Sequence, residues 1–164
     1  MKLSVYFTAQ GLTQGDVAER PVLVIDVLRT TTTIVTALAN GAKAVLPAET
    51  TADAIQLVNN LKRDDILLTG EQGYHLIEGF HCGNSPLEMT PEVVKDKTLV
   101  MATTNGSRAL VAAQHGGPVF RCAHRRRQPA SPTAHNNHII RGSHQQTLLR
   151  VVPSRPVNMA VRYS

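Results

Sequence analysis

The sequence predicts an α/β fold, a layered and mostly parallel sheet with flanking helices. Two observations support this prediction. Short runs of apolar, often β-branched residues alternate along the chain with stretches of helical periodicity, which is the pattern of strand and helix units in a parallel sheet. Polar clusters directly follow three of the apolar runs, as they do where ligand-binding loops leave the carboxyl ends of strands.

The first half of the chain predicts strands and helices in alternation. Residues 2–8 alternate weakly and predict an outer strand, whereas the apolar run at 22–27 predicts a strand buried on both faces. A helix over 30–40 is predicted to end at Gly41, because glycine adopts the left-handed conformation that terminates helices. The next predicted elements are a strand at 43–47, a helix capped by Thr50 or Thr51 that runs to residue 63, and a strand at 65–69.

The second half begins with a loop over 70–90, where glycines and Pro86 interrupt any periodicity. Loops of this length in compact domains are usually functional or disordered. Thr90 followed by Pro91 predicts the start of a helix. Beyond it the sequence predicts a buried strand at 98–104, a helix at 105–116 and a further strand from Val119 onward.

The charged residues divide the chain into two regions. Residues 1–120 hold nine basic and all twelve acidic residues, a net charge of −3, whereas residues 121–164 hold eight Arg, no Lys and no acid. We therefore predict an α/β domain over 1–120 and an atypical Arg-rich tail over 121–164. The tail is interpreted as disordered or as the product of a shifted reading frame, with the sheet left incomplete at its C-terminal end. The alternative is an Arg-rich arm that binds nucleic-acid phosphates.

Cysteine usage and hydropathy exclude several protein classes. Cys82 and Cys122 lie far apart, which argues against a disulfide scaffold and a Cys-rich zinc site. His75 and His81 add no compact zinc pattern and are expected on the surface. No segment approaches the ~20 apolar residues of a membrane helix, and the first apolar stretch is too short for a signal peptide. A cytoplasmic protein without a membrane segment is expected.

The polar clusters contain the candidate functional residues. Asp26 lies in an apolar run, where it forms either a structural ion pair with Arg29 or acts as a metal ligand, nucleophile or acid–base group. Arg29 could hold a phosphate through two parallel hydrogen bonds. Residues 30–33 and 103–108 either cap helices or bind an oxyanion through hydroxyls and amides. Glu71 together with Asp26 would supply the oxygen ligands that Mg²⁺ prefers.

Three strings, DVLRTTTTIVTALANGA, GEQGYHLIEGFHCGNSPLE and ATTNGSRAL, resemble in order and spacing the Mg²⁺-dependent 2-phosphosulfolactate phosphatase family over residues 1–119. The resemblance implies a cytoplasmic phosphoric monoester hydrolase that converts 2-phospho-3-sulfolactate to sulfolactate and phosphate, a step of coenzyme M biosynthesis. It implies catalytic roles for Asp26, Arg29 and Glu71, with Asp26 and Glu71 holding Mg²⁺. The substrate-binding residues that it implies are Thr31, Thr32, Asn84, Ser85, Thr104, Asn105, Gly106 and Arg108.

The chain departs from the family pattern at three positions and at its end. The pattern has Ala in place of Thr30, Arg in place of Gln72 and Asp in place of His81. The loss of one base and one acid at the last two positions is expected to remove an ion pair or an anion contact. Nothing after about residue 120 resembles the continuation of the family.

We therefore expect hydrolysis of a small phosphorylated acid, with either water or Asp26 as the attacking group. An inactive protein is expected if the C-terminal part is missing. The alternative function is an Arg-rich nucleic-acid-binding protein with a scaffold domain, although a nucleic-acid partner is not favoured. No membrane partner is expected, and a homo-oligomer is compatible with the sequence.

Overall fold

The computed structural model describes residues 3–61 and 64–122, so the predicted tail lies outside the described residues except for its first two positions. In this part of the chain the strands are β1 (Val22–Ile25), β2 (Ala44–Ala48), β3 (Ile66–Gln72), β4 (His75–Leu76), β5 (Thr98–Ala102) and β6 (Val119–Cys122). The helices are α1 (Gln14–Val17), α2 (Thr30–Ala39), α3 (Thr51–Leu61), α4 (Pro91–Val94) and α5 (Gly106–Ala113), with a 3₁₀ turn at Pro86–Glu88.

The strands form two sheets, both with parallel pairing. In the larger sheet the order is β2-β5-β3-β4, and β2, β5 and β3 run parallel while β4 is antiparallel to β3. Val100 in β5 is paired with Leu46 on one side and Leu68 on the other. Strands β1 and β6 form a separate parallel pair. The predicted α/β class with a mostly parallel sheet is confirmed.

Helices cover both faces of the larger sheet, which explains why every residue of β5 is buried. Successive side chains of a strand point to opposite faces. Leu99 and Met101 accordingly belong to one apolar cluster, which includes residues of α2 and α5, whereas Val100 packs in a second cluster with Ala54 of α3. The predicted layering is therefore confirmed, and β5 is the centre of the core.

The helix ends follow the predicted local chemistry. Thr50 caps α3: its hydroxyl accepts a hydrogen bond from the Asp53 amide at 3.1 Å, and the Asp53 carboxylate accepts one from the Thr50 amide at 3.1 Å. Gly41, with φ of +98°, follows the end of α2 as predicted. None of the helices within the described ranges has the length and apolar character needed to span a bilayer.

Several predictions of elements were wrong. Residues 3–8 form no strand, and α5 ends at Ala113 instead of residue 116. The loop over 70–90 contains the hairpin strand β4 and the 3₁₀ turn. Strand β1 is not buried on both faces, because Leu23 is 53% and Ile25 is 67% exposed. The reason is that β1 pairs with β6 alone among the described strands, so its apolar residues lack the neighbours that surround β5.

Candidate functional site

The segment after β1 lies directly against the start of α5. A β-carbon placed on Gly106 would overlap both the Asp26 carboxylate and the side chain of Thr30. Gly106 is itself buried. The absence of a side chain at this position therefore lets the Asp26 carboxylate approach the positive end of the α5 dipole.

Glu71 connects the end of β3 to the segment after β5. Glu71 is 8% exposed, and its carboxylate accepts hydrogen bonds from the backbone amides of Thr104 at 2.8 Å and Tyr74 at 2.9 Å. A third bond, at 3.0 Å, comes from the Thr104 hydroxyl. The Gly73 amide donates to the same hydroxyl at 3.3 Å, so the β3–β4 turn and the loop that leads into α5 are held together at Glu71.

The environment of Glu71 keeps its side chain ionised. Burial raises the pKa of this carboxyl, but the amides of Thr104 and Tyr74, the Thr104 hydroxyl and the charge of Arg29 together lower the pKa below its ordinary value. Arg29 therefore acts electrostatically on Glu71. Within residues 3–61 and 64–122 Arg29 and Asp26 form no ion pair, which removes the support for a purely structural Asp26–Arg29 pair.

The segments after β1, β3 and β5 thus meet at one place. Asp26 contacts the start of α5, Glu71 is hydrogen-bonded to Thr104, and Arg29 acts on Glu71. The cluster combines two carboxylates, one guanidinium and the amino-terminal ends of α2 and α5. A doubly charged oxyanion would find favourable charge at both helix ends and at Arg29.

The hydroxyls of the threonines that begin α2 are used by the fold. Thr31 donates to the Asp26 carbonyl at 2.5 Å and Thr32 to the Val27 carbonyl at 2.6 Å. The Thr31 amide also donates to the Asp26 carbonyl, at 3.2 Å. These bonds run to carbonyls of the segment before α2, and the N-cap residue Arg29 makes no side-chain capping bond, so the structure does not confirm the capping alternative. The roles of Thr31 and Thr32 in substrate binding stay predictions.

Ser85 and Asn84 occupy different environments. The Ser85 hydroxyl accepts a hydrogen bond from the Leu87 amide at 3.3 Å and caps the 3₁₀ turn. Asn84 is 5% exposed, and its Nδ2 donates to the Thr30 hydroxyl at 3.1 Å. Its place beside Thr30 brings Asn84 to the edge of the cluster, whereas the Ser85 hydroxyl accepts a bond within its turn. The predicted substrate contacts of both residues stay predictions.

Arg108 lies in the first turn of α5 and Asn105 directly before the helix, and both residues are exposed. Arg108 Nε donates to the Glu49 carbonyl at 3.3 Å, which directs this side chain toward the end of β2. Asn105 precedes the helix and its side chain makes no capping hydrogen bond. The structure therefore places both residues at the outside of the cluster, and their predicted contacts with substrate stay predictions.

Thr30, Thr103 and Ser107 are buried members of the cluster that the choice of site residues missed. The Thr103 hydroxyl accepts from the Ser107 amide at 2.8 Å, and the Ser107 hydroxyl accepts from the Thr103 amide at 2.8 Å. These reciprocal bonds fix the turn between β5 and α5. The available signal was position, because Thr30 and Thr103 are the first residues of the clusters 30–33 and 103–108.

The two carboxylates of the cluster are candidate ligands for Mg²⁺. No group of three His, Cys, Asp or Glu residues able to hold a metal occurs in residues 3–61 and 64–122. Mg²⁺ is usually held by one or two carboxylates together with waters and substrate phosphate. Ionised Glu71 and partly exposed Asp26 fit that requirement, and Glu71 Oε1 accepts only one hydrogen bond from the described residues. His75 and His81 are exposed, as expected.

The sequence was compared with known families and curated proteins. A profile of the 2-phosphosulpholactate phosphatase family matches residues 6–139, which extends beyond residue 119, where the resemblance was expected to end. Proteins named "Probable 2-phosphosulfolactate phosphatase" are also similar. The relative from Caldanaerobacter subterraneus subsp. tengcongensis is 50% identical over 110 residues, which cover 67% of this chain and 46% of the relative.

Two clostridial relatives carry the same name. The protein of Clostridium beijerinckii is 40% identical over 120 residues, covering 73% of this chain and 50% of the relative. The protein of Clostridium novyi is 45% identical over 113 residues, covering 69% of this chain and 48% of the relative. The chain therefore spans about half the length of the curated relatives that it matches.

Proposed function

The chain belongs to the 2-phosphosulpholactate phosphatase family, and from that membership we propose that it hydrolyses 2-phospho-3-sulfolactate to sulfolactate and inorganic phosphate. The observation that carries the proposal is the meeting of three segments, where the Asp26 carboxylate lies against Gly106 at the start of α5, Glu71 is bonded to Thr104 and the charge of Arg29 lowers the pKa of Glu71. We propose a cytoplasmic enzyme that serves coenzyme M biosynthesis.

Hydrolysis breaks the bond between phosphorus and the ester oxygen and forms a bond to an oxygen from water. Attack on phosphorus is opposed by the negative charge of the phosphate. In the proposed site Arg29 pairs with phosphate oxygens, and the ends of α2 and α5 add positive potential. Two backbone amides at these ends already donate within the protein, that of Thr31 to the Asp26 carbonyl and that of Ser107 to the Thr103 hydroxyl. The helix dipoles and Arg29 therefore contribute most of the proposed phosphate binding.

We propose that Mg²⁺ is held by Asp26 and Glu71. When bound, Mg²⁺ neutralises negative charge on the phosphate oxygens and so supports attack by a nucleophile. The chain's own contribution is to keep Glu71 ionised and fixed by three hydrogen bonds, and to place the Asp26 carboxylate against Gly106. The attacking oxygen belongs either to water or to Asp26, and either route transfers the phosphoryl group to water.

The proposal is tested by phosphate release from two substrates that differ in one group. The full chain is incubated with 2-phospho-3-sulfolactate or with 2-phospholactate, which lacks the sulfonate, each with Mg²⁺ or with EDTA. We expect phosphate release that requires Mg²⁺ and is faster with the sulfonate. Release that persists unchanged in EDTA would reject the metal, and equal rates with both substrates would reject the proposed substrate. No release under any condition would reject the hydrolase function.

The alternative function, nucleic-acid binding by an Arg-rich tail, receives no support from the described residues. The tail lies outside them, apart from residues 121 and 122. The domain boundary near residue 120 and the homo-oligomer also stay predictions.

A further inference from the structure

A buried chain of hydroxyl and amide groups joins three segments of the site. Asn84 Nδ2 donates to the Thr30 hydroxyl at 3.1 Å, and that hydroxyl donates to the Thr103 hydroxyl at 3.3 Å. The Ser107 amide then donates to the Thr103 hydroxyl at 2.8 Å. The chain of bonds therefore runs from the loop before the 3₁₀ turn, through the start of α2, to the start of α5.

Thr30 is the central member of this chain. It is 2% exposed, and its side chain lies so close to Gly106 that a β-carbon on that glycine would overlap it. The Cβ of Thr30 thus sets the spacing between α2 and α5, and the Thr30 hydroxyl links Asn84 to Thr103. A buried hydroxyl with one donor and one acceptor partner has a fixed orientation, because turning it would leave a buried polar group unpaired.

The bond to Thr30 also decides which end of the Asn84 amide is available to a ligand. Because Nδ2 is bonded to Thr30, the amide presents Oδ1, which is buried and has no hydrogen-bond partner among the described residues. A carbonyl oxygen accepts hydrogen bonds and repels the ionised oxygens of phosphate. Asn84 is therefore suited to a group that carries a hydrogen, such as a water molecule or the hydroxyl of an alcohol.

We propose that Thr30, which stands where the family pattern has Ala, is a positioning residue specific to the phosphatase site of this chain. Its hydroxyl orients the Asn84 amide so that Oδ1 faces a hydroxyl donor, either the attacking water or the hydroxyl of the alcohol product. This inference rests on the proposed function. It assigns a role to Thr30 and a ligand class, a hydroxyl donor, to Asn84.

The experiment compares Thr30→Val, which keeps the shape but removes the hydroxyl, with Thr30→Ser, which keeps the hydroxyl. Thr36→Val is the matched control, because the Thr36 hydroxyl donates within α2, to the Thr32 carbonyl at 2.8 Å, and to no other group of the described residues. Steady-state phosphate release is measured for the full chain of each variant below its unfolding temperature. The side-chain amide signals of Asn84 are followed by NMR in the same samples, without substrate.

We expect Thr30→Val to lower kcat by about 10- to 100-fold, the scale of a misplaced reacting group, with a smaller change in KM. Thr30→Ser should restore kcat, and Thr36→Val should leave it unchanged. The Asn84 signals should shift in Thr30→Val and keep their positions in the other two variants. Rescue by Ser separates positioning from packing, since Ser lacks the methyl group.

Three results would overturn the inference: equal kcat in Thr30→Val and the native chain, equal losses in Thr30→Val and Thr30→Ser, or Asn84 signals that do not move in Thr30→Val. A native chain that releases no phosphate would refute the proposed function instead. The Asn84 signals would then decide by themselves whether the Thr30 hydroxyl orients the amide.

Discussion

Replacing Glu71 with Gln is expected to destabilise the fold by about 2–3 kcal/mol at pH 7. The carboxylate accepts hydrogen bonds from two backbone amides and one hydroxyl, and the amide group of Gln can accept on one of its two atoms only. Whichever way the Gln side chain turns, the amide of Thr104 or of Tyr74 faces an NH₂ group. The three bonds are partly buried, so a donor left without an acceptor costs an amount at the lower end of the about 1–3 kcal/mol of a fully buried one, and the remaining bonds lose their charge assistance.

The pH dependence gives this prediction a second component. The pKa of Glu71 lies below its ordinary value of 4.5 in the folded protein. The ionised carboxylate therefore stabilises the fold at pH above the unfolded pKa, and that stabilisation is lost as the pH falls through the folded pKa. The Gln variant lacks this group, so the stability difference between the two proteins should shrink between pH 7 and pH 3.

The assay is urea unfolding of the native chain and of Glu71→Gln at both pH values, which cancels the titration of all other carboxylates in the difference. Glu78→Gln is the matched control, because Glu78 is exposed and should change stability by no more than about 0.5 kcal/mol. A loss below about 0.5 kcal/mol for Glu71→Gln at pH 7, or an equal loss at pH 7 and pH 3, would refute the role of the carboxylate in holding the two loops.

Two further substitutions probe the other side of the site. Asp26→Asn should lower kcat at least ~100-fold and retain the unfolding temperature, because the substitution removes a central charged group. Phosphate release measures kcat, and Asp64→Asn, at an exposed position, is the control. Near-native turnover of Asp26→Asn would reject the catalytic assignment. Gly106→Ala should lower stability by about 1–3 kcal/mol in thermal unfolding, because its β-carbon overlaps the Asp26 carboxylate. Gly15→Ala, whose β-carbon meets only ordinary contacts, should be tolerated, and equal effects of the two alanines would contradict the close approach at Gly106.

The central strands could be predicted from the sequence because their apolar composition indicates that they are buried. Residues 98–102 are apolar or small, and a strand of this kind needs neighbours on both edges and both faces. Strand β1 has the same apolar character, yet Leu23 and Ile25 are exposed. An apolar composition indicates that a strand can be buried, but the burial of that strand depends on which other elements lie beside it.

The location of the site was predictable, but the roles of neighbouring residues were not. Asp26 and Thr104 follow apolar strands and Glu71 lies near the end of one, the positions at which ligand-binding residues are expected. Strand β1 belongs to a separate sheet from β3 and β5, so the order of strands in one sheet does not by itself bring Asp26 to the other two. The choice among four consecutive threonines depends on the residue at which α2 begins, and a shift of one residue turns a side chain by about 100° around the helix. The start of α2 at Thr30 places this residue beside Asn84, whereas the hydroxyls of Thr31 and Thr32 donate to backbone carbonyls.

The central claim is that the segments after β1, β3 and β5 form one phosphate site, and the most direct test is NMR titration of the ¹⁵N-labelled full chain with inorganic phosphate in Mg²⁺. The account predicts that backbone amide signals shift at residues 26–31, 71–74 and 103–108, and that Asp26→Asn weakens the titration. Shifts confined to residues 121–164 would contradict it and assign phosphate binding to the Arg-rich region. Shifts in only one of the three segments would also contradict it, because the site requires all three.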